Sequence, residues 1–426
     1  MPYALLVLSG VLTGVLITQV GLRQRQDPHR RLVGVLVALC IGEAIGALVF
    51  WVVAVGWNPF GIPVPRSIAA YAAGFGGSVA IAALSIHRAR WWRALLAALT
   101  VGVVLVTGTL ASSAAFGVNP TLGSLFGVTP TSNAADQTAL VRPVTTKPVT
   151  DIAKSWTPPR GLPKHGKTSS VKIPARHSGF HARDAGLYLP PAALMPNAPR
   201  LPLMILMMGQ PGNPDPQYVG SVLDQFAARN HGLAPIVVVA DQLGDPTQDP
   251  GCTDTAHFGE VETYITVDVL DWARQHLNVD PSGSTTTIAG YSNGGACAML
   301  FASKYPDDFR NVVDISGELF PGAEDPAAML DSVFAGNQAA YDAQKPATNL
   351  AGHAHSGLAI FTAGSNDPFY VQSGQQAQKL FQQAGFETEF AEVPNGGHVL
   401  GAIYGGFNIA FSALYPSLGL KVAVHP

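Results

Sequence analysis

The stretch Gly290-Tyr291-Ser292-Asn293-Gly294 constrains this chain more than any other. A β-branched run, Thr285-Thr286-Thr287-Ile288, leads into it, and a small-residue apolar run over 295–305 comes after it. The pattern reads strand, sharp turn, helix, with a serine at the apex. So tight a turn brings backbone against backbone. The flanking positions must lack Cβ atoms, and the serine oxygen is lifted clear of the sheet. G-x-S-x-G alone is a weak signal, and the strand before it and the helix after it give it meaning.

The downstream residues have the right order for a Ser, acid, His triad. An apolar strand over 358–362 runs into Gly364-Ser365-Asn366-Asp367-Pro368, a turn carrying an acid. A helix is expected over 375–384, closed by Gly385, then a strand over 389–393, then Asn395-Gly396-Gly397-His398. Of the twelve histidines only His398 and His425 lie beyond Asp367. His425 is next to last, where chains fray. His398 sits in a glycine turn just past a strand, where a catalytic loop belongs.

The same region predicts an open, mostly parallel sheet. Residues 203–208 and 235–240 are continuous apolar runs, the pattern of central strands buried on both faces. Helical periodicity fills 218–229 and 261–277, and Val312-Val313-Asp314-Ile315 is the strand after the elbow helix. Val171-Lys172-Ile173-Pro174 and residues 186–190 read as an edge hairpin. Alternating strands and helices give the α/β class, with active sites beyond the carboxyl ends of the strands. Ser292, Asp367 and His398 all come directly after strands. Residues 318–357 are a long excursion with enough apolar side chains for short helices, either a lid or a surface decoration.

The first 118 residues differ in kind. Charged residues make up only 12% of the whole chain, and the mean hydropathy is positive. Four segments, about 3–22, 32–55, 67–86 and 94–116, approach the roughly 20 residues needed to span a bilayer. Arg23, Arg25, Arg30 and Arg31 lie in the first loop and Arg88, Arg90 and Arg93 in the third, against Arg66 in the second. Positive loops stay inside, so the N-terminus and everything after the fourth helix are expected outside. The start lacks the basic region of a secretory signal peptide. Glu43 falls near mid-helix in the second span, as a functional acid or as part of helix packing. The spacings Gly42/Gly46 and Gly10/Gly14 suggest small-xxx-small packing faces. The expected domains are thus a transmembrane bundle over 1–118, a Pro/Thr/Ser-rich linker over 119–169, and a globular domain over 170–426.

Cys252 and Cys297 would both lie on the exported side, where disulfides persist, and Cys297 is one turn after Ser292. A bridge between them is expected. Asp241, Asp245, Asp249 and Asp254 match no calcium cage and read as solvated acids. His353 and His355 lack a carboxylate partner, so no metal site is expected. With a net charge of −3, no nucleic-acid partner is indicated.

The segments Ala289-Gly290-Tyr291-Ser292-Asn293-Gly294-Gly295, Ala302-Ser303-Lys304-Tyr305-Pro306-Asp307-Asp308-Phe309 and Ser316-Gly317 resemble the putative-esterase family of α/β-hydrolases. That family includes S-formylglutathione hydrolase and secreted mycolyltransferases. Asp367 and Gly397-His398 match its later triad positions. Cys252 with residues 262–269 looks like membrane-anchored actinobacterial members. The resemblance covers about 170 to the C-terminus and implies an α/β-hydrolase fold with serine chemistry.

The residues themselves assign the roles. A neutral hydroxyl is a poor nucleophile, so His398 would take the Ser292 proton and later protonate the leaving alcohol, while Asp367 holds the imidazole. Glu318, after the Val312 strand, is the rival acid. The oxyanion needs two donors: the N–H of Asn293 and that of Gln210, since Pro211 has none. The chemistry asks for no cofactor. The expected function is a membrane-anchored extracytoplasmic esterase or acyltransferase acting on acyl or lipid esters of the cell envelope. The alternative is a non-catalytic binding or assembly module on the same fold.

Overall fold

A computed structural model describes residues 2–21, 28–57, 66–86, 90–115, 151–351 and 355–421. Residues 119–150 of the expected linker lie outside the described residues, as do Arg23, Arg25, Arg88, His353 and His425. The chain divides into two compact units, Met1–Gly127 and Val128–Pro426.

The first unit holds helices α1 (Pro2–Gly21), α2 (Pro28–Trp51, continued by a π-helical turn Val52–Trp57), α3 (Arg66–Ile86) and α4 (Trp91–Ala115). Among the described residues, three stretches are long and apolar enough to cross a membrane: Leu32–Ala54, Ile68–Ile86 and Trp91–Ala111. The apolar stretch of α1 is shorter, Ala4–Val20. It rises only about 25 Å, against roughly 30 Å of hydrocarbon. Among the described residues, then, three of the four expected spans reach spanning length, and the described apolar part of the first does not.

Gly42 and Gly46 pack as their spacing suggests. A Cβ on Gly42 would strike the Gly76 carbonyl and the Ala80 methyl of α3, and one on Gly46 would strike the Ala72 carbonyl. The two backbones meet directly, as small-residue seams allow. Gly10 and Gly14 do not behave this way: a Cβ at either would meet open space. Buried Ser9 instead shares a 3.1 Å hydrogen bond with Thr107 of α4. The Glu43 side chain runs along Gly77 of α3.

The second unit is built on an eight-stranded sheet. In chain order its elements are β1 (Lys167–Val171), β2 (Ala185–Leu189), β3 (Leu203–Met207), α5 (Gln217–Arg229), β4 (Ile236–Ala240) and α6 (261–276, with a π-helical middle at Tyr264–Val269). Next come β5 (Thr287–Tyr291), α7 (Asn293–Lys304) and β6 (Asn311–Ile315). Three short helices come after β6: α8 (Pro326–Ser332), α9 (Gln338–Asp342) and α10 (Pro346–Leu350). The chain then forms β7 (Leu358–Gly364), α11 (Pro368–Ala384), β8 (Glu387–Val393) and α12 (Leu400–Ser417). The strand order is β1-β2-β4-β3-β5-β6-β7-β8. β2 pairs antiparallel with β1 and β4, and every other pairing is parallel. This is the expected α/β-hydrolase fold with a mostly parallel sheet. Every residue of β3, β4, β5 and β6 is buried, which is why β3 and β4 read as unbroken apolar runs.

Three elements differ from the expectations. The first edge strand lies four residues earlier, because pairing runs from Lys167↔Leu189 to Val171↔Ala185, while Ile173 turns into the core and Pro174 has no N–H for a ladder. Helix α11 starts at Pro368, seven residues early, with Asp367 at its N-cap and proline pre-set for the first turn. Helix α12 was not anticipated. It buries Ile403, Phe407, Phe411 and Leu414 against the sheet.

The excursion after β6 has a small core of its own. Met329, Val333, Phe334 and Tyr341 are buried together, with Phe258 from the loop after β4 packed against them. Lys304 at the end of α7 anchors it through Gln344, at 2.5 Å. Gly251 of the same loop lies against Met329 and Val333. Beside it, Cys252 is bridged to Cys297 of α7, with Cα atoms 5.3 Å apart. The bridge thus ties the loop, and through it the excursion, to the elbow helix. Closing a loop of 45 residues is worth about 4 kcal/mol in chain entropy. Replacing both cysteines by serine should lower the stability of this unit by roughly 2–4 kcal/mol, read from denaturant unfolding followed by tryptophan fluorescence. An unchanged midpoint would argue against a structural bridge.

Candidate active site

The elbow is held by backbone contact. Ser292 has φ 55° and ψ −122°, a strained conformation for a residue with a side chain. Its N–H donates to the Ile315 carbonyl at 2.9 Å. A Cβ on Gly290 would strike the Gly294 backbone, and one on Gly294 would strike the Met207 carbonyl at the end of β3. The two glycines are therefore required by the crossing of strand and helix.

The three residues expected to act together are together. Ser292 Oγ lies 2.9 Å from His398 Nε2. On the other side of the ring, Nδ1 is 3.2 Å from Asp367 Oδ2. That approach has the distance of an ion pair without the alignment of a straight hydrogen bond, since Nδ1 makes none. Asp367 occupies the N-cap of α11, yet its carboxylate makes no capping bond. It turns to the histidine instead. The His398 loop is fixed by a close approach of Gly364 to the Gly396–Gly397 backbone, and by a hydrogen bond from the Tyr291 hydroxyl to the His398 carbonyl. The rival acid, Glu318, is elsewhere: its Oε2 accepts the Glu324 N–H at 3.0 Å.

The loop after β3 borders the nucleophile. A Cβ on Gly209 would lie 3.1 Å from the Ser292 Cβ, which sets Gln210 beside the serine in the chain. Two residues that sequence reasoning missed fasten this corner. Gln242 donates through Nε2 to the Met208 carbonyl (2.5 Å) and to Asn293 Oδ1 (3.0 Å). Arg183 pairs with buried Asp241 (2.6 Å) and reaches the Gly212 carbonyl (2.8 Å) and Asn213 Oδ1 (2.9 Å). Neither stands in a local motif, so only the tertiary contacts reveal them.

The acids of the loop after β4 are not simply solvated, contrary to expectation. Asp241 is wholly buried against Arg183, and Asp249 accepts the Gly251 N–H at 2.9 Å. Asp245 and Asp254 do lie nearer solvent, each bound to a threonine. Each acid has its own partner, so they do not converge as a cage would need. Beneath the elbow, Asp314 of β6 abuts Gly295 and Gly317, and burial holds its carboxyl well above the usual range.

Residues 181–407, more than half of the chain, match the Putative esterase family. The chain belongs to that family. An uncharacterised protein of Corynebacterium glutamicum is 33% identical over 354 residues, covering 80% of each chain. That span is longer than the second unit, so the likeness reaches into the helical unit. Among solved structures, an S-formylglutathione hydrolase from Agrobacterium tumefaciens is 16% identical, with a TM-score of 0.49, covering 65% of this chain and all of that one. A ferulic acid esterase is 19% identical with a TM-score of 0.47, covering 60% of this chain and 97% of the other.

Glu318 gives a pH test of the site wall. Burial, with Asp249 and Glu324 nearby, pushes its carboxyl up to about 8 from an ordinary 4.5. Between those values the folded chain holds a proton that the unfolded chain has lost, so stability falls as pH rises. The contribution is full below about pH 4.5 and gone above about pH 8. Glu318→Gln should flatten this fall and be the more stable form above pH 8, by a few kcal/mol at most. Parallel unfolding midpoints at pH 5, 7 and 9 check it. A profile identical to wild type would mean that Glu318 ionises normally.

Proposed function

We propose that this chain is a membrane-anchored serine esterase or acyltransferase that cleaves acyl esters through an acyl-serine intermediate. The reading rests on one observation above all, the 2.9 Å contact of Ser292 Oγ with His398 Nε2, backed by Asp367 on the far nitrogen. His398 takes the serine proton as Oγ attacks the ester carbonyl. Asp367 stabilises the imidazolium that forms. The N–H groups of Asn293 and Gln210 receive the oxyanion, an interaction worth about 3–4 kcal/mol per donor in the barrier. The imidazolium then protonates the leaving alcohol. Water or a second alcohol, deprotonated by the same histidine, releases the acyl group. Hydrolysis and transfer share every step but the last acceptor. The apolar helices of the first unit suit a lipid ester of the cell envelope.

A fluorophosphonate should label the wild type and leave Ser292→Ala unlabelled. Labelling of both to the same extent, or of neither, would remove the enzyme reading.

The catalytic domain is proposed to face outward. Arginines precede α2 and lie between α3 and α4. Keeping both groups inside leaves the end of α4 outside, whether or not α1 crosses. The expected anchor over 1–118 is kept in this reading, and so is a linker from 119, but the enzyme starts earlier than the expected 170: Ile152 is buried in its core and β1 opens at Lys167. Protease added to intact spheroplasts should cut within 119–150. Cleavage only after lysis would reverse the orientation.

A further inference from the structure

The His398 ring meets a further side chain besides Ser292 and Asp367. Tyr370, three residues after Asp367 on α11, is 1% exposed, and its ring stacks on the imidazole with centroids 3.9 Å apart at 26°. Its hydroxyl donates to the Glu324 carboxylate. Glu324 opens the excursion between β6 and β7, and this stretch is pinned twice. The Glu324 N–H donates to Glu318 Oε2, and the Tyr341 hydroxyl donates to the carbonyl of Pro321 at 3.0 Å. The chain Glu324–Tyr370–His398 therefore runs from the excursion to the reacting imidazole.

We propose that Tyr370 and Glu324 are positioning residues that hold the His398 ring in the plane of the reaction and favour its charged form. The inference rests on reading Ser292, His398 and Asp367 as the reacting set. The physical need is plain in the geometry. The Asp367 contact is too poorly aligned to fix the ring plane alone, and a stacked aromatic face supplies what it lacks. A phenol face also attracts a cation, and does so more strongly when buried. Hydrogen bonding to a carboxylate makes that ring more electron-rich. The imidazolium formed when His398 takes the serine proton is thus met by Tyr370, with the Glu324 charge behind it. The titratable and charged groups around the imidazole and Glu324 are Tyr291, Tyr370 and Asp367 beside the imidazole, and Glu318 and Asp249 beside Glu324. Because Glu324 belongs to the excursion, seating of that segment and orientation of His398 become one event.

The test uses the full chain in detergent, with fluorophosphonate labelling rates measured from pH 5 to 9. A p-nitrophenyl ester supplies kcat and KM. Tyr370→Phe and Glu324→Gln keep shape and volume, and Tyr370→Leu removes the stack. Losing the Glu324 charge, or the hydroxyl that links the ring to it, should slow labelling about tenfold in the first two, and losing the cation–ring contact as well should slow it further in the third. The loss should fall on kcat, with KM nearly unchanged. The pH profile of labelling should change as well, because the charge that faces the imidazolium formed in the reaction is removed or uncoupled from it. A merely structural role would lower the unfolding midpoint without moving the pH profile, and that result overturns the inference. Wild-type rates and midpoints in Tyr370→Phe and Glu324→Gln, while the wild type labels normally, also overturn the inference alone. A wild type that does not label overturns the parent reading and this inference with it.

Discussion

Direct backbone contact at the ends of the central strands is the constraint on which the catalytic unit depends. Gly290 and Gly294 let α7 leave β5 at a sharp angle and touch the end of β3. Gly364 lets the His398 loop settle on the end of β7. Gly209 lets the loop after β3 lie against Ser292. Each contact leaves little or no room for a Cβ. The serine, the histidine and the loop after β3 are therefore placed by main chain, the least deformable part of the molecule, and side chains have only to refine the placement. The left-handed φ of Ser292 is the local cost of that arrangement, of order 1–3 kcal/mol.

Around this scaffold the wall of the site is unusually rich in acids. Glu318, Glu324 and Asp249 influence one another, and burial raises all three carboxyls. Asp241 differs, because Arg183 neutralises it and carries the load of the loop at Gly212 and Asn213. Glu324 reaches His398 through the Tyr370 ring, while Glu318 holds the Glu324 N–H.

The range of each interaction decides how much of this was legible in the sequence. Ser292, Asp367 and His398 were legible because each sits in a glycine or proline turn after a strand, a local pattern. The parallel core was legible because burial on both faces writes itself as unbroken apolar runs. Tyr370, Glu324, Gln242 and Arg183 were not legible. Their partners lie 28, 46, 51 and 58 residues away, and nothing in the neighbouring sequence marks them. The start of α11 was misplaced because Asp367-Pro368 reads equally as a turn. The edge strand was misplaced because an apolar, β-branched patch outweighed the pairing register. Gly42 and Gly10 carry the same spacing, yet only the first lies at a seam, since spacing defines a face and says nothing of what meets it.

The bridge between Cys252 and Cys297 sets an order of assembly. Both residues are wholly buried, so no oxidant reaches the sulfurs of the folded domain. The bond has to close while the loop after β4 and the elbow helix are still open to solvent. A host that keeps thiols reduced during folding would trap two buried thiols behind a finished sheet. Such a product would lack the tie that joins the loop beside Met329 and Val333 to the elbow helix.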